Sequence, residues 1–282
     1  MKQCTILLLA AVLLLPAWGF ARTQVPASRI IAQINEGKAV QYSDAEIIGI
    51  LDFTSIRDTT ADERREGIKG IFNGSTSTYW SHVRVPLKFS RCVFRGDVLA
   101  YVHDDDAEKT MNVIFYQDAS FAGCEFQGKS HFKYAKFKGQ ADFKNTTYGS
   151  EALFKYAKFS VDSDFSAARF QDDANFKYVE FPATAVFTDA VFRREANFKY
   201  AEFPMAADFE KAGFQGEANF KYAKFRAAAI FADAAFRRLA NFKYAKFSQN
   251  PDFSGSDFAG SSDFKYAKVQ GKPFTHDLLK TR

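Results

Sequence analysis

Apolar residues recur along most of this chain at a fixed spacing. From Phe115 to Val269, an aromatic or apolar residue follows alternately after 6 and 5 residues without interruption. The same rhythm starts at Val83 and breaks after Ala100, and a ten-residue insertion at about 101–110 accounts for the delay. A fixed period of this kind is typical of a stacked repeat protein.

A hexapeptide returns once in every 22 residues. It reads FKYAKF at 132, 154, 220 and 242, FKYVEF at 176, FKYAEF at 198 and FKYAKV at 264. Two five-residue and two six-residue steps make up one such period. The 22-residue period therefore contains four apolar steps, and the hexapeptide marks the same point in each period.

Small residues stand two positions before nearly every Phe, and Asn or Asp often lies between them. Examples are ADF at 141–143 and ANF at 174–176 and 240–242. This pattern resembles the pentapeptide-repeat family, whose unit is A(D/N)LXX or A(D/N)FXX. The resemblance implies an all-β fold, a right-handed four-sided parallel β-helix with short helical caps. It also implies that each central Phe and the preceding small residue point inward, and the 22-residue coil differs from the family's usual 20.

The chain divides into a leader, two caps and a repeat body. We expect a signal peptide over 1–21, an N-terminal helical cap over 22–38, the β-helix over 39–269 and a C-terminal cap over 270–282. Within the β-helix, residues 54–82 are predicted to be an irregular insertion because they are rich in turn-forming residues. Residues 101–110 are predicted to be a second one because the apolar rhythm breaks there.

The leader predicts export. A positive Lys2 precedes an apolar run from Ile6 to Leu15, and small residues allow cleavage after Ala21. A retained membrane anchor is the alternative, but the run is shorter than the roughly 20 residues that span a bilayer. We expect a periplasmic or secreted protein with no membrane span after cleavage.

The hexapeptides place charge on one side of the stack. The net charge of the whole chain is +5, and it is +4 without the leader. Seven Lys in one column, with five Lys and two Glu in a third column, give this side +10 and leave about −6 elsewhere. The candidate binding residues form the first two columns: Lys133, Lys155, Lys177, Lys199, Lys221, Lys243 and Lys265, with Tyr134, Tyr156, Tyr178, Tyr200, Tyr222, Tyr244 and Tyr266.

Two interpretations of these columns stay open. A polyanion or acidic glycan could bind along them, with Lys neutralising its charge and Tyr offering stacking surfaces. Anionic polysaccharide, lipopolysaccharide or another envelope component would then be the partner. Alternatively, repeat duplication copied both residues, and the protein is a purely structural part of the cell envelope with a stabilising Tyr ladder.

Two cysteines, Cys92 and Cys124, each stand two positions before a core Phe. After the inferred insertion is subtracted they lie one coil apart in the same column. Their Cα atoms would be about 5 Å apart, within disulfide range. We therefore predict a disulfide in an exported protein, with free buried thiols as the alternative.

The sequence carries no enzyme signature, and we expect no cofactor and no metal site. The four His residues are scattered, and no nucleophile elbow or phosphate-binding loop occurs. The acidic run 104–106 beside His103 favours a solvated loop over a loose cation site. An active site at a rim is a weaker alternative. The resemblance also implies a topoisomerase-protecting DNA mimic, which a basic face and export argue against.

Overall fold

The computed structural model describes residues 22–62 and 77–279. They form the predicted right-handed, four-sided parallel β-helix. Each coil passes in turn through four faces, which we number I to IV in chain order. Strands of one face pair in parallel with a shift of one coil, as Ala141 pairs with Ser163, 22 residues later. The leader, 1–21, lies outside the described residues.

Faces I and II flank the hexapeptide. The strands of face I are Leu51–Asp52, Val98–Leu99, Ser130–His131, Ala152–Leu153, Ala174–Asn175, Ala196–Asn197, Ala218–Asn219, Ala240–Asn241 and Ser262–Asp263. The strands of face II are Thr59–Ala61, Ser77–Val83, Tyr101–Asp104, Lys109–Phe115, Lys136–Phe137, Lys158–Phe159, Glu202–Phe203, Lys224–Phe225, Lys246–Phe247, Lys268–Val269 and Lys272–Pro273. Glu180 bridges Lys158 and Glu202, so face II is continuous.

Faces III and IV complete the coil on the other side. The strands of face III are Val40–Ser43, Leu87–Ser90, Ala119–Ser120, Ala141–Asp142, Ser163–Asp164, Ala185–Val186, Ala207–Asp208 and Ala229–Ile230. The strands of face IV are Thr23–Pro26, Ala45–Ile48, Val93–Phe94, Glu125–Phe126, Thr147–Tyr148, Arg169–Phe170, Val191–Phe192, Gly213–Phe214, Ala235–Phe236 and Asp257–Phe258.

Phe side chains and the small residues beside them fill the interior, as the resemblance implied. On face III, Phe165, Phe187 and Phe209 are fully buried, and their rings stack 5.0 and 4.9 Å apart within 4° of parallel. Between faces the rings meet edge to face, as Phe187 does with Phe198 at 5.2 Å and 87°. The residue two positions before each Phe, in most cases Ala, leaves room for this packing, since larger neighbours would overfill the interior.

Both ends of the core are covered. A helix, Ala27–Asn35, buries Ile30 and Ile34. Gly37, two residues beyond its last residue, stops the helix with a positive φ of 69°. This φ allows the two hydrogen bonds of a Schellman turn, from the Gly37 N–H to the Ile34 carbonyl and from the Lys38 N–H to the Gln33 carbonyl. At the other end Phe274 stacks on Phe264 at 4.1 Å, ahead of a 3₁₀ turn over His276–Leu279.

The structure corrects three segment assignments. Thr23–Pro26, expected within the helical cap, is a strand of face IV that pairs with Ala45–Ile48. Residues 54–82, expected to be irregular, contain a 3₁₀ turn at Phe53–Ser55 and two strands, because Ser77–Val83 pairs over its whole length with Lys109–Phe115. Of this segment, 63–76 lie outside the described residues.

The insertion at 101–110 is a regular β-hairpin rather than an irregular loop. Its strands Tyr101–Asp104 and Lys109–Phe115 are antiparallel, and the second strand continues into the coil. The acidic residues lie at the hairpin turn, where Asp104 accepts a hydrogen bond from the backbone of Ala107 and Asp105 contacts His103 at 3.0 Å. No helix among residues 22–62 and 77–279 is long and apolar enough to span a membrane.

Tyr148 replaces a Phe in the interior column of face IV. Its ring stacks between Phe126 and Phe170 at 5.0 and 4.7 Å. The side chain is fully buried, and its hydroxyl has no hydrogen-bond partner among the described residues. A buried hydroxyl without a partner destabilises the folded state.

We predict that Tyr148→Phe raises the free energy of unfolding by about 1 kcal/mol, because it removes the unpaired oxygen and keeps the ring stack. The urea midpoint measures the change. Tyr42→Phe is the matched control, since the Tyr42 hydroxyl donates to Gln33 Oε1 at 2.9 Å and its loss should not stabilise. An unchanged or lower midpoint for Tyr148→Phe would contradict the prediction.

Candidate functional site

The hexapeptide forms the corner between faces I and II, which we call the Lys–Tyr corner. It comprises Lys133, Lys155, Lys177, Lys199, Lys221, Lys243 and Lys265 with the Tyr that follows each of them. Each corner is a four-residue β-turn, as in Phe154 to Ala157, where the Ala157 N–H donates to the Phe154 carbonyl at 2.8 Å. The sequence placed all these residues correctly in stacked columns.

Each Tyr of the corner adopts a left-handed backbone. The seven φ values lie between 58° and 62°, while the preceding Lys residues keep a negative φ. This is a type II turn, whose third position favours Gly or Asn. An L-residue with a bulky side chain is disfavoured there by roughly 1–2 kcal/mol. Tyr is therefore an unfavourable choice for this turn on local grounds.

Backbone hydrogen bonds hold the turn in place. The side chain of Asn197 accepts from the Lys199 N–H at 3.1 Å, and the same contact recurs in neighbouring coils. The Tyr200 N–H donates to the Lys221 carbonyl of the next coil at 3.0 Å. These contacts explain the Asn before four of the seven corner Phe residues and the Asp before the last one. None of them needs a Lys or Tyr side chain.

The corner between faces III and IV, which we call the opposite corner, provides an internal comparison. It uses the same turn, with the same positive φ at the third position. In seven coils that position holds Gly123, Asn145, Ala167, Asp189, Lys211, Asp233 and Gly255. The preceding position holds Ala122, Lys144, Ser166, Thr188, Glu210, Ala232 and Ser254. The coil geometry therefore requires neither Lys nor Tyr, yet the Lys–Tyr corner has both in every one of its seven copies.

The Tyr rings of the corner stack on one another. Successive ring centroids from Tyr134 to Tyr266 are 4.7–4.9 Å apart, and all pairs but the last lie within 6° of parallel. The ladder interpretation of these rings is confirmed by this geometry. The expectation that they offer stacking surfaces to a ligand is wrong for the inner rings, since their neighbours cover both ring faces and leave edges and hydroxyls exposed.

The Lys ammonium groups follow the Tyr ladder. Each Lys Nζ lies 5.1–5.8 Å from the ring centroid of its own Tyr, a cation–π distance. None of the seven makes an ion pair with a carboxylate of the described residues. Partial burial, with the charges of Lys177 and Lys133, lowers the pKa of Lys155 below its usual range.

The third charged column belongs to face II and is partly neutralised. Lys158 pairs with Glu180 at 2.7 Å, and Lys224 pairs with Glu202 at 2.5 Å. The pKa of Glu202 is lowered by its hydrogen bond with Lys224. The third column keeps a net charge of +3, so the seven lysines of the corner carry most of the positive charge of this side.

The sequence did not predict that Tyr101 extends the column of corner Tyr rings at its N-terminal end. Tyr101 lies above Tyr134, with ring centroids 5.9 Å apart, and its hydroxyl accepts a hydrogen bond from Lys133 Nζ at 2.9 Å. Tyr101 belongs to the hairpin insertion, which breaks the 22-residue period. The only available signal was its position at the point where the period breaks.

Cys92 and Cys124 lie in one column on adjacent coils, next to the paired residues Val93 and Glu125. Both are buried and free in the structure. A hydrogen bond with Cys124 lowers the pKa of Cys92 to about 7, and the same contact with burial raises the pKa of Cys124. The thiols are therefore neighbours, and the disulfide stays a prediction.

Metal binding has little support in the described part of the chain. Within residues 22–62 and 77–279, no three His, Cys, Asp or Glu side chains are grouped so that they could hold a metal ion. Asp104 and Asp105 are engaged at the hairpin turn as described above.

Comparison with known proteins agrees with the repeat geometry. A sequence model described as pentapeptide repeats (9 copies) matches residues 111–157, 132–180, 176–224 and 220–268. These segments together run from 111 to 268, more than half of the 282 residues. The chain belongs to the pentapeptide-repeat family. No curated protein and no solved structure matches it. The family defines a repeat scaffold and leaves the ligand to be inferred from the surface.

We predict that oxidised protein carries a Cys92–Cys124 disulfide. To isolate this pair, Cys4→Ser removes the remaining cysteine of the full chain. Thiol titration of the unfolded, unreduced variant should find none, and titration after reduction should find both. Adding Cys92→Ser to the same variant is the control and should expose one thiol without reduction. Two free thiols in the unreduced sample would show that the bond does not form.

Proposed function

We propose that this protein is an exported, non-catalytic scaffold that binds a linear polyanion along the Lys–Tyr corner, with an acidic polysaccharide of the cell envelope as the partner class. One observation carries the proposal. Lys and Tyr recur in all seven copies at a turn that disfavours Tyr, whereas the same turn at the opposite corner varies, with Ala, Ser, Thr, Lys or Glu at its second position and Gly, Asn, Asp, Ala or Lys at its third.

The Lys column is unfavourable in the absence of a ligand. Adjacent coils are about 4.8 Å apart, and unit charges at that distance repel by about 0.9 kcal/mol in water before screening by salt. Alternating positive and negative residues would keep the protein equally soluble without this repulsion, as in the Lys158–Glu180 pair beside the corner. An anionic polymer lying along the column would relieve the repulsion and release its own counterions.

The Tyr ladder supports the same function in a different way. Stacked rings fix the spacing of the turns, and each ring holds the adjacent Lys Nζ at 5.1–5.8 Å. The exposed hydroxyl edge forms a row of groups that donate and accept hydrogen bonds. A polysaccharide hydroxyl can use such a row, while its carboxylate or sulfate meets the Lys.

A purely structural role in the envelope is the second candidate. The continuous Phe and Tyr stacks favour it, because they stiffen the rod along its length. This role explains the Tyr column through ring packing. It does not explain why seven Lys accompany it, since Ala122, Ser166 and Thr188 serve the same backbone position at the opposite corner.

We predict that the triple variant Lys177→Gln, Lys199→Gln and Lys221→Gln binds polyanions more weakly. On heparin and on immobilised polygalacturonate it should elute at lower salt than the unmodified protein. The slope of log K against log salt should fall by about three, because each phosphate-like contact contributes about one. Its thermal stability should be unchanged or higher, since the substitutions remove like-charge repulsion.

A matched control lies at the opposite side of the rod. Lys144→Gln, Arg169→Gln and Lys211→Gln lower the net charge by the same three units at exposed positions. Retention should change far less in this variant. Equal losses in both variants would reduce the effect to net charge, and unchanged retention of the corner variant would refute the proposal.

A further inference from the structure

A cleft lies at the N-terminal end of the Lys–Tyr corner, on the outer surface of face II. The hairpin strand Lys109–Phe115 is at its centre, between Tyr101–Asp104 and Ser77–Val83. Strand pairing sets two rows of side chains across this sheet: Tyr101, Asn112 and Trp80 in one, and His103, Thr110 and Thr78 in the next. The cavity has a volume of about 290 Å³.

Asn112 is at the floor of the cleft. Only 2% of it is exposed, and its Oδ1 has no hydrogen-bond partner among the described residues. An unpaired buried carbonyl oxygen is costly. Less than 1 Å² of this oxygen is exposed, so a ligand donor reaches it when the side chains of its strand neighbours Tyr101 and Trp80 move apart. A molecule that donates an O–H or N–H there would satisfy the oxygen.

Aromatic rings form the walls. Tyr101 and Tyr134 stand on one side, with tilted rings 5.9 Å apart, and Trp80 stands on the other. The Trp80 indole N–H already donates to Asp62 Oδ2 at 3.2 Å, which fixes the orientation of its ring. Two apolar walls and a polar floor suit a flat molecule with C–H faces and a hydroxylated edge.

Positive charge selects among such molecules. Lys133 lines the cleft, with its Nζ 4.2 Å from the Tyr101 ring centroid and 2.9 Å from the Tyr101 hydroxyl. Lys136 Nζ lies 3.6 Å from the Trp80 ring centroid. The lining also contains one carboxylate, Asp62, whose Oδ2 accepts from the Trp80 indole N–H on the other side of the cleft. The Lys133 side of the cleft therefore favours the anionic group of a ligand.

We propose that the cleft binds a single hexuronate residue of an anionic glycan, with its sugar ring between Trp80 and Tyr101, a hydroxyl donating to Asn112 Oδ1 and its carboxylate facing Lys133. The cleft volume is near the lower end of the range for small-molecule sites, which fits one sugar ring. That the hexuronate belongs to a polymer rests on the proposed function. The partner is thereby narrowed to a uronic acid polysaccharide.

The two sites share a residue pair. Lys133 and Tyr134 belong to the first copy of the Lys–Tyr corner and also line the cleft. A glycan end held in the cleft would therefore lead directly onto the column of lysines. The cleft would fix the position and direction of the chain, and the corner would hold its length by charge.

The cleft can be tested with monosaccharides, separately from the corner. In the full chain, Trp18→Phe leaves Trp80 as the only Trp, so its fluorescence reports on the cleft. Titration with galacturonate and with glucuronate should give a saturable change for at least one of them. Glucose, which lacks the carboxylate, should bind at least tenfold more weakly. The triple Lys177, Lys199 and Lys221 variant should respond as the parent does.

Asn112→Leu is the variant that removes the acceptor. Because Oδ1 has no partner among the described residues, an apolar side chain of similar size should preserve the fold, and urea unfolding checks this. Uronate affinity should fall at least tenfold. Lys133→Gln, which leaves the floor intact, should lower uronate affinity toward that of glucose.

The outcomes separate the two proposals. No saturable response to either uronate, or equal affinity for uronate and glucose, would overturn the cleft assignment and leave the Lys–Tyr corner standing if polymer retention still depends on its lysines. If uronate binding is saturable but the triple Lys177, Lys199 and Lys221 variant is retained on the polymer as well as the parent, the cleft proposal is supported and the proposed function of the Lys–Tyr corner is overturned. Isothermal titration of the same samples provides a readout that does not depend on Trp80.

Discussion

The stacking of one 22-residue coil directly on the next is the constraint on which this structure depends. Backbone N–H groups of each coil donate to carbonyls of a neighbouring coil, as Tyr200 does to Lys221. These bonds fix the register, so any residue repeated every 22 positions becomes a continuous column. The buried Phe columns follow from it, and so does the small residue, in most cases Ala, beside each Phe, because four large rings in one layer need small neighbours. The outward columns follow in the same way, and they include groups that repel.

That register makes the surface informative. The Lys–Tyr corner and the opposite corner form the same turn in the same coil. Residue preferences that differ between them therefore do not come from the backbone conformation of the turn. At the opposite corner the left-handed position is Asn, Asp or Gly in most coils, as in Asn145, Asp189 and Gly255, and these residue types tolerate a positive φ. At the Lys–Tyr corner it always holds Tyr, and a Lys without a carboxylate partner among the described residues precedes it. Ring stacking offsets part of the backbone cost of Tyr. Cation–π contacts offset part of the repulsion between lysines, but no described carboxylate neutralises them, which is why we propose an anionic partner.

The sequence was sufficient for features that depend on the period. It predicted the inward Phe columns, the columns of Lys133 to Lys265 and the neighbouring positions of Cys92 and Cys124, because a fixed repeat converts spacing into geometry. It could not predict features that depend on side-chain conformation within a layer. The Tyr rings face one another instead of solvent, and Glu180 and Glu202 neutralise lysines of their own column. The cleft around Asn112 arises where the hairpin and Ser77–Val83 interrupt the period, and no repeat marks those residues in the sequence.

Lysine footprinting tests the central claim most directly. The protein is acetylated with and without saturating polygalacturonate, and the modification of each Lys is measured by mass spectrometry. We predict that the polymer protects Lys155, Lys177, Lys199, Lys221 and Lys243 together, because they form one continuous column, while Lys88, Lys144 and Lys211 on other faces react as before. Protection spread evenly over all lysines, or absent from the corner, would contradict the account.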